Sequence, residues 1–264
     1  GKAEEWNSGT RTIGEYPKGG ADAFNWQVAG IWRYSDSGQW YASVSDRARF
    51  PTIFELYSTR FGSAVPNPNL GAERATNYEL GWQGEFGGTT TLSGALFYND
   101  VERLIQTVQV GPGLTQTQNV GNGEYYGVEL SIETRLSPQL VVGANYTYMD
   151  REIEDSLQPN LQATGVPDNK AFVYMTWSGN RFSITPSIDI ADDRWSDIST
   201  NPAQAFPFVR TGSYMLVNLQ AEYQLLANVD LSAGVKNLSD ENYELSWGLP
   251  MQGRTFYVKT RLDF

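Results

Sequence analysis

The sequence predicts an all-β protein, an antiparallel transmembrane β-barrel to which this chain contributes about eleven strands. Three observations lead to this fold class. Apolar and polar residues alternate with period two over many segments of about ten residues, which is typical of strands with one face in lipid and one in water. Aromatic residues are abundant, with 15 Tyr, 12 Phe and 8 Trp. Short and long connections alternate along the chain.

Five predicted strands lie in the first half of the chain. Residues 1–21 are polar and lack a strand pattern, so we interpret them as a loop. The segment 47–74 contains Pro51, Pro66 and Pro68, which are incompatible with a central strand. The SDSG, Gly-Gly and GPG sequences supply tight turns. Alternation around these turns predicts strands at 24–34, 39–46, 77–86, 89–110 and 116–136.

Six further predicted strands complete the chain. Tight turns at SPQ, Gly179–Asn180 and Ala227–Asn228 separate three strand pairs. In the closing strand, Phe256, Val258 and Leu262 alternate with charged residues, so one face suits hydrocarbon and the other suits water. The predicted strands are 140–153, 170–178, 181–195, 213–226, 229–237 and 253–264.

The connections differ in length between the two ends of the predicted sheet. Short links at 35–38, 87–88, 137–139, 179–180 and 227–228 interleave with longer ones at 47–74, 111–115, 154–169, 196–212 and 241–252. Outer-membrane barrels show this asymmetry, with short periplasmic turns and long extracellular loops. A soluble β-sandwich, the main alternative, would mix loop lengths at both ends.

Strand direction predicts how the chain sits in its barrel. If the short turns are periplasmic, the closing strand runs inward and residues 1–21 lie on the extracellular side. Bacterial single-chain barrels have an even number of strands with both ends in the periplasm. Eleven strands that start outside therefore predict the C-terminal part of a larger barrel. In the alternative, a twelfth strand lies within residues 1–21.

Composition excludes several classes of function. The 264 residues include neither cysteine nor histidine, which removes disulfides, thiolate metal sites and the commonest general base. The net charge of −11 argues against a nucleic-acid partner, because phosphate binding needs a basic surface. No run of 18 apolar residues occurs, which excludes a transmembrane helix.

Several segments resemble TonB-dependent outer-membrane receptors. The stretch SVSDRARFPTIFELY (43–57) followed by NPNLGAERATNYELGW (67–82) resembles the mid-barrel signature of that family. The hairpins at 119–150 and 217–244 and the closing GRTFYVKTRLDF resemble later barrel segments; the second hairpin carries an N-L-x-D-x-x-Y element beginning at Asn237. The family fold is a 22-stranded barrel plugged by an N-terminal globular domain. The resemblance thus implies an extracellular loop segment at 1–21 and the C-terminal half of the barrel at 22–264.

The resemblance implies import across the bacterial outer membrane of a scarce ligand such as a ferric siderophore. The implied partners are outer-membrane lipid, the N-terminal plug with the remaining barrel strands, and the TonB energy transducer acting through the plug. The barrel-assembly machinery would read the closing strand at Phe256, Val258, Leu262 and Phe264. A non-energised pore or adhesin is an alternative function. An outer-membrane enzyme is another, but no catalytic constellation is found.

We expect ligand contacts in the long loops, where positive charge and aromatic rings combine. The candidates are Tyr57, Arg60, Phe61, Arg194, Arg210 and Trp247. Aromatic residues at strand ends are predicted to form interfacial girdles; they are Trp40, Tyr146, Tyr148, Trp177 and Trp195. Adjacent Asp192 and Asp193 are interpreted as an exposed loop mouth rather than a cation site. No catalytic residue, metal site or cofactor is predicted.

Overall fold

The computed structural model describes residues 2–7, 10–15, 22–154, 161–197 and 208–263. The helical elements in these ranges are a five-residue α-helix, α1 (Ile53–Tyr57), and a 3₁₀ turn at Arg60–Gly62. No helix among the described residues has both the length and the hydropathy needed to span a membrane. The strands are β1 (Lys2–Asn7), β2 (Thr10–Glu15), β3 (Trp26–Ser35), β4 (Gly38–Arg49), β5 (Ala64–Val65), β6 (Glu73–Phe86), β7 (Thr90–Gly111), β8 (Leu114–Ser137), β9 (Leu140–Glu154), β10 (Asn169–Ser178), β11 (Phe182–Ala191), β12 (Arg194–Asp197), β13 (Phe208–Thr211), β14 (Tyr214–Leu226), β15 (Val229–Lys236), β16 (Glu244–Ser246), β17 (Leu249–Pro250) and β18 (Thr255–Leu262).

Eleven strands form one antiparallel sheet in the order β3-β4-β6-β7-β8-β9-β10-β11-β14-β15-β18. Each strand therefore pairs with its neighbours along the chain, as in the wall of an up-and-down barrel. Short β5 adds to β8 in parallel. The pairs β1–β2, β12–β13 and β16–β17 are separate two-stranded hairpins. In the described part of the chain, β3 and β18 are the two edges of the main sheet.

All eleven predicted strands are present in the main sheet, but two predictions about the chain around them were wrong. The strand predicted at 181–195 ends at Ala191, and β12 then leaves the sheet to pair with β13. Residues 1–21 showed no strand pattern, yet β1 and β2 pair with each other there. A hairpin outside the main sheet satisfies its backbone groups without an alternating apolar face, so periodicity does not detect it.

The predicted GPG turn near 111–113 is present at the end of a long hairpin, but counting the 111–115 connection among the longer ones was wrong. Strands β7 and β8 stay paired along their whole length, from the pair Thr90 and Thr134 to the pair Gly111 and Leu114. Their neighbours β6 and β9 end earlier, where Arg74 pairs with Glu102 and Glu154 pairs with Asn122. The hairpin therefore projects beyond the wall on the side of the long loops.

This projection contains a compact apolar cluster. Val101, Leu104, Val108 and Val120 are all buried to 5% exposure or less and pack together with Tyr125, Ile153 and Leu161 around them. Buried Leu70 lies in the loop before β6. By contrast, every residue of β3 is exposed, and apolar side chains such as Leu80, Leu96 and Leu130 remain about half exposed. The wall presents its apolar face outward, and the loops of one end enclose their own small core.

Aromatic rows flank the apolar outer face. Tyr78, Tyr98 and Tyr126 lie directly opposite one another on β6, β7 and β8. Toward the short turns, Trp40 pairs with Trp82, with ring centroids 6.3 Å apart. The band between the two rows carries Leu80, Leu96 and Val128, which lie directly opposite one another. Two aromatic girdles around an apolar band are typical of a barrel surface that crosses a membrane.

The other face of the sheet carries rings that lie over glycines of the neighbouring strand. The directly paired residues are Tyr41–Gly81, Phe97–Gly127, Tyr174–Gly143 and Tyr257–Gly234. A Cβ atom added to these glycines would come within 2.1, 2.7, 2.3 and 2.5 Å of the aromatic side chain, respectively. Each aromatic side chain therefore covers the strand where the glycine side chain is missing.

Candidate functional site

The predicted ligand residues form two groups at the end of the sheet with the long loops. Tyr57, Arg60 and Phe61 belong to the segment between β4 and β6. Arg194 and Arg210 lie on the β12–β13 hairpin, and Trp247 lies in the turn between β16 and β17. We call these the tip loop (residues 50–72) and the hairpin cluster (β12, β13, β16 and β17).

An ion-pair network holds the base of the tip loop. Arg49 at the end of β4 contacts Glu55 of α1 at 3.0 Å and Glu73 of β6 at 3.2 Å. Thr52 and Glu55 form a capping box, in which the Thr52 side chain accepts from the Glu55 N–H and the Glu55 carboxylate accepts from the Thr52 N–H. Burial raises the pKa of Glu55, but the hydrogen bonds from Thr52 and Arg49 outweigh it, so the pKa lies below its ordinary value.

The tip loop is also bound to the projecting hairpin. The Asn67 side chain donates to the carbonyl of Thr117 at 2.8 Å. Asn119 bonds both backbone groups of Gly71. These contacts give two positions of the NPNLGAE motif a structural role. The Asn67 side chain bonds a backbone carbonyl of β8, and the Gly71 backbone bonds a side chain of β8.

The tip itself has an unusual backbone. Arg60, Phe61 and Gly62 have φ values of 43°, 57° and 95°, all in the left-handed region. Non-glycine residues there carry a conformational cost, and such costs concentrate at functional positions. The turn leaves the Phe61 ring fully exposed, while the Arg60 guanidinium lies 5.8 Å from the centre of the Phe54 ring.

The hairpin cluster pairs one arginine with a carboxylate and a ring. Arg210 Nη1 lies 3.0 Å from both carboxylate oxygens of Asp193. Its guanidinium also lies 4.6 Å from the ring of Trp195, directly opposite on β12. Trp195 was predicted to belong to a girdle, and that prediction was wrong because the chain leaves the wall before this residue. Asp192 accepts from Asn169 at 2.6 Å, so both carboxylates of the Asp192–Asp193 pair have partners.

Arg194 is placed very differently from Arg210. It is only 7% exposed, and its Nε and Nη2 atoms have no hydrogen-bond partner in the described part of the chain. Its guanidinium lies 5.4 Å from the centre of the Tyr214 ring, and that ring packs on Tyr243 at 4.7 Å. Burial raises the pKa of Tyr243, and nearby Tyr214 and Asp189 raise it further, so this phenol stays protonated at neutral pH.

The β16–β17 hairpin is held on β12 by Ser196. The Ser196 hydroxyl accepts from the Trp247 N–H at 2.9 Å and lies 3.2 Å from the Ser246 hydroxyl. The side chain of Trp247 is half exposed beside this contact. Three of the predicted residues, Arg194, Arg210 and Trp247, are thus brought together. Sequence reasoning missed Tyr214 and Tyr243 because both fall at strand or loop ends without a charge pattern.

The N-L-x-D-x-x-Y element forms the loop that carries Tyr243. Asn237 and Asp240 have φ values of 52° and 59°. The buried Asn237 side chain exchanges hydrogen bonds with the backbone of Glu241, and the Asp240 carboxylate accepts from the Arg254 N–H at 2.7 Å. These bonds fix the left-handed turns that direct Tyr243 toward Tyr214. The element is therefore structural support for the cluster.

Near the hairpin cluster, the polar face of the sheet lines an open cleft of about 680 Å³. It is lined by β10, β11, β14, β15 and β18, with Asp189, Asn218, Gln220 and Tyr243 among its polar residues. Asn218 donates to Asp189 at 2.9 Å, and Tyr257 donates to Gln220 at 2.9 Å. No group of three or more acidic side chains suited to a metal ion occurs among the described residues.

The predicted assembly residues lie on edge strand β18. Phe256, Val258 and Leu262 are 74%, 78% and 53% exposed on the apolar face. Phe264 lies outside the described residues.

The fold and the two loop groups define a class of protein, namely the wall of a large transmembrane β-barrel with elaborate loops at one end. A family model described as "TonB dependent receptor-like, beta-barrel" matches residues 3–238. The chain belongs to the TonB-dependent receptor family.

Named relatives agree with this family. Over 200 residues the chain is 24% identical to a protein of Acinetobacter baumannii named "Probable TonB-dependent siderophore receptor PiuA", covering 67% of this chain and 24% of that protein. The ferric-catecholate import receptor Fiu of E. coli K12 matches with a TM-score of 0.74 and 18% identity, covering 97% of this chain and 37% of that one. The copper transporter OprC matches with a TM-score of 0.72 and 22% identity, covering 90% of this chain and 39% of that one.

The chain spans about a quarter of the length of its curated relative. The solved structures show that the fold is a TonB-dependent receptor barrel; they do not identify a ligand, since proteins with this fold are named for different cargoes.

Proposed function

We propose that this chain is part of an outer-membrane receptor that imports a scarce ligand, such as a ferric siderophore, using energy delivered by TonB. The family match over residues 3–238 carries the proposal. The relative named as a probable siderophore receptor supports the ligand class. In this proposal the remaining barrel strands and an N-terminal plug complete the protein, and the barrel-assembly machinery recognises Phe256, Val258, Leu262 and Phe264.

The loop groups would capture the ligand on the outer side. Arg60 and Phe61 present a charge and a ring on the exposed tip, while Arg194, Arg210 and Trp247 form the hairpin cluster. Iron chelates carry anionic oxygen ligands, so guanidinium groups beside rings suit them. Passage would follow the polar inner face of the barrel. Residues 1–21 would belong to an extracellular loop.

The proposal is tested with the full-length receptor in its own bacterium under iron limitation. Uptake of radioactive iron is measured with a panel of ferric siderophores in the parent, a receptor deletion, a TonB deletion and a complemented strain. We expect loss of uptake in both deletions for the cognate siderophore and recovery on complementation. Uptake that needs the receptor but not TonB would instead indicate a passive pore. Unchanged uptake of every siderophore in the receptor deletion would contradict the proposal.

A further inference from the structure

The most unusual group in the hairpin cluster is the guanidinium of Arg194. A buried cation without a hydrogen-bonding partner is costly, because neither water nor a counter-charge replaces its hydration. Nε and Nη2 of Arg194 are both in this state among the described residues. These two donors lie on one edge of the guanidinium plane, which is the edge that binds two oxygens of one anion.

The segment Tyr243–Trp247 is joined to the surroundings of Arg194 through Tyr214 and Ser196. Residues 194 and 196 are two apart on β12, so their side chains point to the same face of that strand. Ser196 on that face contacts Ser246 and Trp247 of the β16–β17 hairpin. Arg194 contacts Tyr214, which packs on Tyr243 just before β16. The Ser196 hydroxyl is therefore a polar contact that holds the β16–β17 hairpin on β12, on the strand face that carries Arg194.

We infer that Arg194 is a concealed anion site and that the β16–β17 hairpin, latched by Ser196, opens to admit an oxyanion that presents two oxygens. The ligand chemistry is that of a carboxylate or a catecholate on an iron chelate, so the inference deepens the proposed function and rests on it for the identity of the ligand. Arg210 does not share this role, since its guanidinium already has Asp193 and Trp195 as partners.

The latch is tested without any siderophore. Phenylglyoxal modifies accessible arginines, and mass spectrometry of the purified full-length receptor in detergent reports each one separately. Exposed Arg181, at the short turn between β10 and β11, serves as the internal reference. In the wild type Arg194 should react more slowly than Arg181, since its guanidinium is buried and is reached only when the loops open locally. Ser196→Ala should bring the two rates close together, whereas the control Ser183→Ala on β11 should not.

Protection by an added anion tests the site itself. Inorganic phosphate or citrate should slow the reaction of Arg194 in Ser196→Ala and leave Arg181 unchanged. Equal Arg194 rates in the wild type and Ser196→Ala would overturn the latch. Absence of protection by both anions would overturn the anion site.

Binding of defined iron chelates then separates this inference from the proposed function. Ferric tris(2,3-dihydroxybenzoate) and ferric citrate are titrated into the wild type, Arg194→Gln, Arg194→Lys and Arg181→Gln, with Trp fluorescence as readout. Loss of a charge-assisted pair of hydrogen bonds should weaken binding about ten- to a hundredfold in Arg194→Gln. Arg194→Lys should recover part of the affinity, and Arg181→Gln, at the exposed short turn between β10 and β11, should leave it unchanged.

The two chelates identify the source of the oxygens. If Arg194→Gln loses affinity for only one chelate, the site is assigned to catecholate or to carboxylate accordingly. If it loses affinity for both, the site binds oxyanions in general. If the wild type binds a chelate and Arg194→Gln binds it equally well, the inference is wrong while the proposed function stands. If the wild type binds neither chelate but phosphate protects Arg194, the anion site stands and the proposed ligand class is wrong.

Discussion

The side-chain amide of Asn119 pairs with both backbone groups of Gly71. The Gly71 N–H donates to Asn119 Oδ1 at 2.7 Å, and Asn119 Nδ2 donates back to the Gly71 carbonyl at 3.1 Å. The same Nδ2 also donates to the carbonyl of Arg103 at 2.9 Å. One side chain on β8 thus replaces a strand partner for the tip loop and ties it to the projecting hairpin.

Asn119→Ala should loosen the tip loop without unfolding the wall. It removes the partners of two Gly71 backbone groups, and half-buried groups of this kind cost about 1–3 kcal/mol when left unpaired. Hydrogen exchange should accelerate across residues 66–72 and stay unchanged in the strands near the short turns. Asn122→Ala, an exposed position on the same strand, is the matched control. Equal protection of residues 66–72 from hydrogen exchange in both variants would show that Asn119 does not anchor the loop.

Acid should loosen the base of the same loop. The pKa of Glu55 is lowered in the folded protein. The ionised Glu55 side chain therefore stabilises the fold above the unfolded carboxyl pKa of about 4.3. This stabilisation is lost as the pH falls through the lowered pKa of the folded state. Protease cleavage within residues 53–67 should therefore increase below about pH 4. Glu55→Gln should be cleaved faster at pH 7 and should lose this acid dependence. Identical pH profiles for the two proteins would contradict the role of Glu55.

Sequence periodicity predicted the wall well because lipid on one side and water on the other impose period two on every strand. Tyr78, Leu80 and Trp82 show this directly, and their strand is present as predicted. The loop structure could not be predicted in the same way. Asn119 acts through a pair of contacts 48 residues away in sequence, and Ser196 contacts a hairpin 50 residues further on. Such contacts follow from tertiary packing, which leaves no periodic signal.

The apolar outer face predicts opposite outcomes for two neighbouring residues of β8. Leu130 is half exposed on the apolar outer face, whereas Ser131 points to the polar face. Leu130→Arg places a charge against lipid and should cost about 2–4 kcal/mol near the bilayer midplane. Folding of the full-length receptor into lipid vesicles, followed by heat-modified gel mobility, should show a lower yield for Leu130→Arg than for Ser131→Arg. Equal yields would mean that the facing of this strand is assigned wrongly.

The glycines of the wall should differ sharply in their tolerance of a methyl group. At Gly127 an added Cβ would lie 2.0 Å from the carbonyl oxygen of Tyr148 and 3.0 Å from the Cα of Met149, and neither backbone atom can move away without disturbing the β8–β9 pairing. At Gly30 on β3 no atom of the described residues lies within 4 Å of the same atom. Overpacking of the kind expected at Gly127 costs about 1–3 kcal/mol or more. Gly127→Ala should therefore reduce the yield of folded receptor in vesicles and lower its unfolding midpoint in urea. Gly30→Ala should match the wild type, since Gly30 pairs with Ala42, opposite Leu80 of the apolar outer face, and its methyl group would point to lipid. A Gly127→Ala protein as stable as Gly30→Ala would show that the two strands do not approach as closely as described.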